Sequence, residues 1–227
     1  GLAKENEKNL VMLPYNDIEK TKKILNKNKK NMSSVIIEPI QGSLPDPNIK
    51  NYLKFLEKYC KKNNLILIFD EMITGLRTDF SCIQKYFGIR SDITLFGKCF
   101  GAGYPIGIII INKKIQDNLS KLKRKVFFGG TFSGNSFVSF VGNETFNYIK
   151  KNKIKILKKI NNQAQIIEKN LNTYFKKNNL DLKIYRFKSM LRLVYTNKTI
   201  SNRIARDFLE SKNNDKMIKF KKFIYIN

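Results

Sequence analysis

Four short apolar runs constrain this chain more than any other feature. They are "SVII" (34–37), "LILIF" (65–69), "ITLFG" (93–97) and "IGIIIIN" (106–112). Runs of that length suit strands buried on both faces. Between the first two lies "NIKNYLKFLEKYCKKNN" (48–64), where Tyr52, Phe55, Leu56 and Tyr59 recur at helical spacing. Strand, amphipathic helix, strand is the pattern of a parallel sheet, so the expectation is an α/β unit. From about Asn135 to Lys177 a long helix is predicted, with Ile149, Ile156, Ile160 and Ile167 along it. "LKIYRF" and "MLRLVYT" then read as a pair of strands. Composition shifts near Lys150, which sets an expected boundary between a larger unit (1–149) and a smaller α+β one (150–227).

In an open parallel sheet, ligands bind beyond the carboxyl ends of the strands. Three of the runs end on charged residues: Glu38 after the first, Asp70 after the second and Lys98 after the third. A carboxylate at the end of an apolar strand needs a hydrogen-bonding or cationic partner. A plain Asp70–Lys98 ion pair is the simplest answer. It leaves unexplained Gly97, Gly101, Gly103 and Gly107, which allow close backbone approach beside a flat ligand. The run is not a G-x-G-x-x-G fingerprint and carries no dinucleotide reading. An acid and a lysine at strand ends suit pyridoxal phosphate, whose aldehyde takes the amine and whose ring nitrogen takes the carboxylate.

Composition narrows the chemistry. The chain has no histidine, which excludes Ser-His-Asp and Cys-His catalysis and the usual histidine metal sites within it. Cys60, Cys82 and Cys99 fit neither a disulfide framework nor a zinc site, so no metal is expected and a reducing cytoplasm is. The apolar runs are too short to span a bilayer, and the first residues lack a secretory pattern. A net charge of +26 invites a nucleic-acid reading. The lysines, however, are scattered beside Asn, with no Arg-rich stripe or aromatic nucleic-acid motif. That reading, a basic nucleic-acid-binding module, stands as the alternative, together with a catalytically inactive relative of an enzyme.

"VIIEPIQG", "LIFDEMITGLR", "DITLFGKCFGAGYPIG" and "GGTFSGNSF" occur in this order. They resemble the signatures of the class III pyridoxal-phosphate aminotransferases, most of all glutamate-1-semialdehyde aminomutase and its aminotransferase relatives. The resemblance implies a fold-type-I transferase: part of the large parallel-sheet domain, then part of a smaller α+β C-terminal domain. It implies amino-group transfer through a lysine Schiff base, on an amino acid or an amino-aldehyde or keto substrate, in a homodimer. By motif, Lys98 would be the Schiff-base lysine and Asp70 the partner of the pyridine nitrogen. Met72, where the family usually has Val, would press on the ring, with Ile73 next to it. Thr131 would reach the cofactor phosphate of the other subunit. Glu38 and Glu71 are expected as scaffold, and Gln41 as a loop residue. Ile73 stands where many members carry Gln, and Ser43 where several carry Glu. Both departures favour the aminomutase-like branch. The family's phosphate-binding loop lies upstream of "LVMLPYND", so the chain is expected to be the middle and later part of such an enzyme, inactive alone.

Overall fold

The computed structural model describes residues 8–78, 82–123, 125–127, 129–196, 198–200, 203–213, 215 and 218. Helix α1 (Ile18–Asn28) starts where the Asp17 carboxylate accepts the Lys20 amide at 3.0 Å, an N-cap that satisfies one orphan donor. Strand β1 (Ser34–Ile37) follows, then α2 (Lys50–Lys62), β2 (Ile66–Asp70), the short α3 (Cys82–Phe87) and β3 (Ile93–Gly97). Strand β4 (Gly107–Ile111) leads into α4 (Lys113–Ser120). Next come the 42-residue α5 (Ser136–Lys177), the hairpin β5 (Lys183–Phe187) and β6 (Met190–Val194), and α6 (Arg203–Lys212).

The main sheet has the order β1-β2-β3-β4. Its first three strands are parallel, as the alternation of strand and helix predicts. The fourth runs antiparallel to β3, with Leu95 opposite Ile109 and Gly97 opposite Gly107. The reason is length. Residues 98–106 hold only a 3₁₀ turn, Lys98–Gly101, and are too few for the dozen or so residues that a parallel crossover needs. β4 is also an edge strand here. Its isoleucines have the composition of a central strand, yet Ile109 and Ile110 are 60% and 52% exposed.

Alternation along the strands gives the sheet two unlike faces. Val35, Leu67, Phe69 and Phe96 are buried; the first three join Leu53, Leu56 and Cys60 of α2, Leu25 of α1 and Ile83 and Phe87 of α3 in one core. Fully burying a side chain such as Phe69 contributes roughly 2–3 kcal/mol. The opposite face carries Ile36, Ile68, Leu95 and Asp70, none of them buried. Phe187 and Met190 of the β5–β6 hairpin enter the same core, and Tyr86 meets Phe187 edge-on at 5.6 Å between ring centroids. Helix α5 passes through Lys150 without a break, its lysines occupying largely exposed positions. Among the described residues, no helix is long and apolar enough to cross a membrane.

Candidate active site

Because β1, β2 and β3 are parallel, Glu38, Asp70 and Lys98 reach the same edge of the sheet. The structure therefore brings together the three charged strand ends that the sequence singled out. Asp70 Oδ1 accepts the Met72 amide at 3.0 Å, which fixes the carboxylate at the strand end. Oδ2 takes no hydrogen bond from the described residues. Lys98 is exposed, and no ion pair joins it to Asp70 among the described residues. The plain ion pair is thus not how this carboxylate is satisfied, and both groups are left available to a ligand.

Local backbone explains how Lys98 is presented. Its φ is 51°, a left-handed conformation that ends β3 abruptly and starts the 3₁₀ turn. For a residue with a Cβ this costs about 1 kcal/mol, and such positions recur at functional sites. Gly97 before it is required for a different reason. A Cβ there would come within 2.5 Å of Met72 Cε and 2.7 Å of the Ile106 carbonyl oxygen. Met72 therefore lies directly on the glycine that precedes Lys98. Ile73 points elsewhere, with its Cδ1 2.6 Å from where a Gly42 Cβ would sit.

Around this edge lies a supporting layer. Burial raises the Glu38 carboxyl above the ordinary glutamate range; the Gly42 amide opposes this by donating to Oε1 at 2.9 Å. Glu71 is fully buried, and its Oε2 accepts the Thr74 hydroxyl and the Ile83 amide, each at 2.9 Å. Burial pushes its carboxyl up as well, and pushes the neighbouring Cys82 thiol to about 12. Glu71 thus ties the turn after β2 to the start of α3, a scaffold position. Gln41 is half-buried in the loop after β1, where its carbonyl accepts the Leu44 amide at 3.1 Å. The Ser43 carbonyl accepts Arg206 Nη1 at 2.6 Å, and Ser43 Oγ has no partner among the described residues. Thr131 is exposed in the turn before α5 and makes no hydrogen bond to the described residues.

Three contributors escaped the sequence reading. Tyr15 donates its hydroxyl to the carbonyls of Glu38 (3.3 Å) and Pro39 (3.1 Å), which pins the end of β1. Arg206, only 5% exposed, docks α6 on the loop after β1, and Arg203 acts electrostatically on Glu38. Ser43 and Arg206 are 163 positions apart, which leaves no local pattern to find. Tyr15 lies inside the quoted "LVMLPYND", but nothing in that stretch marks its hydroxyl as a strand-end clamp.

Asp70 and Lys98 thus stand at neighbouring parallel strand ends, with the Met72 thioether laid over the glycine that precedes Lys98. The chain belongs to the aminotransferase class III family, whose pattern it matches over residues 3–203. Among curated relatives it is 34% identical over 206 residues to glutamate-1-semialdehyde 2,1-aminomutase of Methanocaldococcus jannaschii, covering 89% of this chain and 47% of that protein. The chain thus spans about half the length of the curated relatives it matches. Among solved structures, an omega-transaminase from Sphaerobacter thermophilus superposes with a TM-score of 0.73 at 22% identity, over 83% of this chain and 43% of that one. A transaminase with PLP bound gives a TM-score of 0.72 at 23% identity, over 81% and 43%. These likenesses establish the fold-type-I α/β architecture.

Proposed function

We propose that this chain carries the lysine half of a pyridoxal-phosphate site and takes part in amino-group transfer of the aminomutase or aminotransferase kind. The observation that carries the reading is the pair Asp70 and Lys98: adjacent strand ends, not paired with each other, with Met72 packed over Gly97 between them. The relatives named as glutamate-1-semialdehyde aminomutases support the aminomutase branch, as do Ile73 and Ser43 at the two departing positions.

The residues present fit the cofactor. Among the described residues, Asp70 offers a carboxylate oxygen with no protein donor, and Lys98 an exposed amine with no carboxylate on it. Bound pyridoxal phosphate supplies an electrophilic aldehyde and a ring that withdraws electrons when its nitrogen is protonated. Asp70 would keep that nitrogen protonated. Lys98 Nζ would hold the aldehyde carbon and, once a substrate amine takes its place, carry a proton to and from the substrate. Met72 would exclude water from one side of the ring. Thr131 would serve the phosphate of a partner subunit, which would make a homodimer the working unit; the substrate would be an amino acid or an amino-aldehyde or keto compound. The chain alone, half the relatives' length, would be a poor catalyst.

The test is borohydride reduction after addition of one equivalent of pyridoxal phosphate, followed by peptide mapping. The stable adduct should fall on Lys98, and Lys98→Ala should abolish it. An adduct spread over the other lysines, with no preference for Lys98, would overturn the assignment.

A further inference from the structure

The strand beside β2 leads into a second carboxyl. β1 and β2 pair with Ile36 opposite Ile68 and Ile37 opposite Phe69. Glu38 follows the last residue of β1 directly; continuing the register one step would bring it beside Asp70, and the Asp70 charge acts on its carboxyl. Glu38 cannot swing away freely. Its Oε1 is held by the Gly42 amide at 2.9 Å, and the Tyr15 hydroxyl clamps the carbonyls of Glu38 and Pro39. No cation closes on it as an ion pair among the described residues. Arg203 is itself engaged by Asp207 at 3.3 Å.

We propose that Glu38 and Asp70 form a coupled carboxyl pair in which Glu38 is the member that takes up a proton, leaving Asp70 to meet a cationic nitrogen. Glu38 is then a positioning residue, more than a loop scaffold. Two carboxylates on neighbouring strand ends repel, and the member in the drier place takes the proton. Several groups act on the Glu38 carboxyl. Burial raises it most, the Gly42 amide lowers it, the Asp70 charge raises it, and Lys98 and Arg203 lower it. Tyr15 faces it as a neutral hydroxyl, its own ionisation pushed up by burial. The placement of the pair rests on the strand register and on the Gly42 and Tyr15 hydrogen bonds that hold Glu38 at the end of β1. Only the purpose, meeting a cationic ring nitrogen, rests on the function proposed above.

The experiment follows two probes of one ionisation in the 227-residue chain by NMR. One is the side-chain carboxyl carbon of Glu38. The other is the Gly42 amide, which bonds Glu38 Oε1 and reports its charge. Both should titrate together with a midpoint above the ordinary glutamate range. Asp70→Asn removes the repelling charge and should move that midpoint down. Lys98→Ala removes an attracting charge from an exposed position and should move it up, so the proposal stays testable even where the Asn variant fails to fold. Pyridoxal phosphate added at a pH near the midpoint should shift both signals toward the ionised form, because a cation at Asp70 favours Glu38 as an anion. A Glu38 that merely caps the loop would still titrate high through burial but would keep its midpoint in Asp70→Asn, and in Lys98→Ala its shift would not depend on Asp70; an unmoved midpoint in folded Asp70→Asn overturns the pair. Normal coupling without any response to pyridoxal phosphate would instead count against the cofactor reading.

Discussion

Replacing Glu71 by Ala should be among the most damaging changes near the site. The side chain is 0% exposed, and its Oε2 is the acceptor for both the Thr74 hydroxyl and the Ile83 amide. Alanine leaves those two donors buried and unpaired, at about 1–3 kcal/mol each, so a loss of roughly 3 kcal/mol or more is expected. Glu71→Gln keeps an oxygen acceptor of nearly the same shape and should cost far less. The pH dependence has a definite sign. Burial raises the folded-state pKa of Glu71 above its unfolded value, so the folded chain binds the proton more tightly. The Glu71 contribution to stability is therefore greatest below the ordinary glutamate value and falls as pH rises through the folded-state one. Glutamine mimics the neutral acid, so Glu71→Gln should gain on the parent as pH rises through that window. Urea unfolding followed by circular dichroism measures both effects; the alanine variant should shift the midpoint by roughly 1 M or more. An alanine loss below about 0.5 kcal/mol, or a glutamine variant no better than alanine, would refute this account of the buried carboxyl.

Gly97→Ala should lower stability by about 1–3 kcal/mol, because Met72 can move but the Ile106 carbonyl cannot; thermal unfolding of the variant checks it. In cofactor-loaded protein, Asp70→Asn should slow proton removal from the substrate α-carbon by ~10²-fold or more, seen as the rate of solvent deuterium exchange; a parental rate would reject the role of Asp70. Mixing Lys98→Ala subunits with Thr131→Ala subunits should restore activity through mixed dimers that contain one intact site. Mixed dimers without recovery would count against a shared site.

The strand ends were legible because parallel strands with apolar interiors leave few places for charge, and Glu38, Asp70 and Lys98 took those places. The direction of β4 was not. "IGIIIIN" says only that a strand is buried on both faces, while the turn that reverses it depends on how short residues 98–106 are and on left-handed backbone at Lys98 and Ala102. The helix over 136–177 was legible from its apolar spacing, since a long amphipathic period needs no tertiary partner to be read. The separate handling of Glu38 and Glu71 was out of reach. Both follow apolar strands in the sequence, yet one is held by the Gly42 amide within reach of the Asp70 charge and the other turns inward to cap α3. Alternation of side-chain direction decides this, and it depends on where each strand stops. Arg206 on Ser43 is a contact between distant segments and leaves no trace in local sequence.

The left-handed backbone at Lys98 sets two properties of one residue against each other. Glycine is the residue most at ease at a φ of 51°, and by conformation alone it would fit this corner better than lysine. Selection for thermal robustness would thus favour discarding the amine; under the proposed function, chemistry would be what holds it in a contorted peptide. It follows that alanine and glycine are not equivalent deletions here. Alanine removes the amine and keeps the torsion; glycine removes both, and any recovery it shows in folding measures what the corner costs the chain.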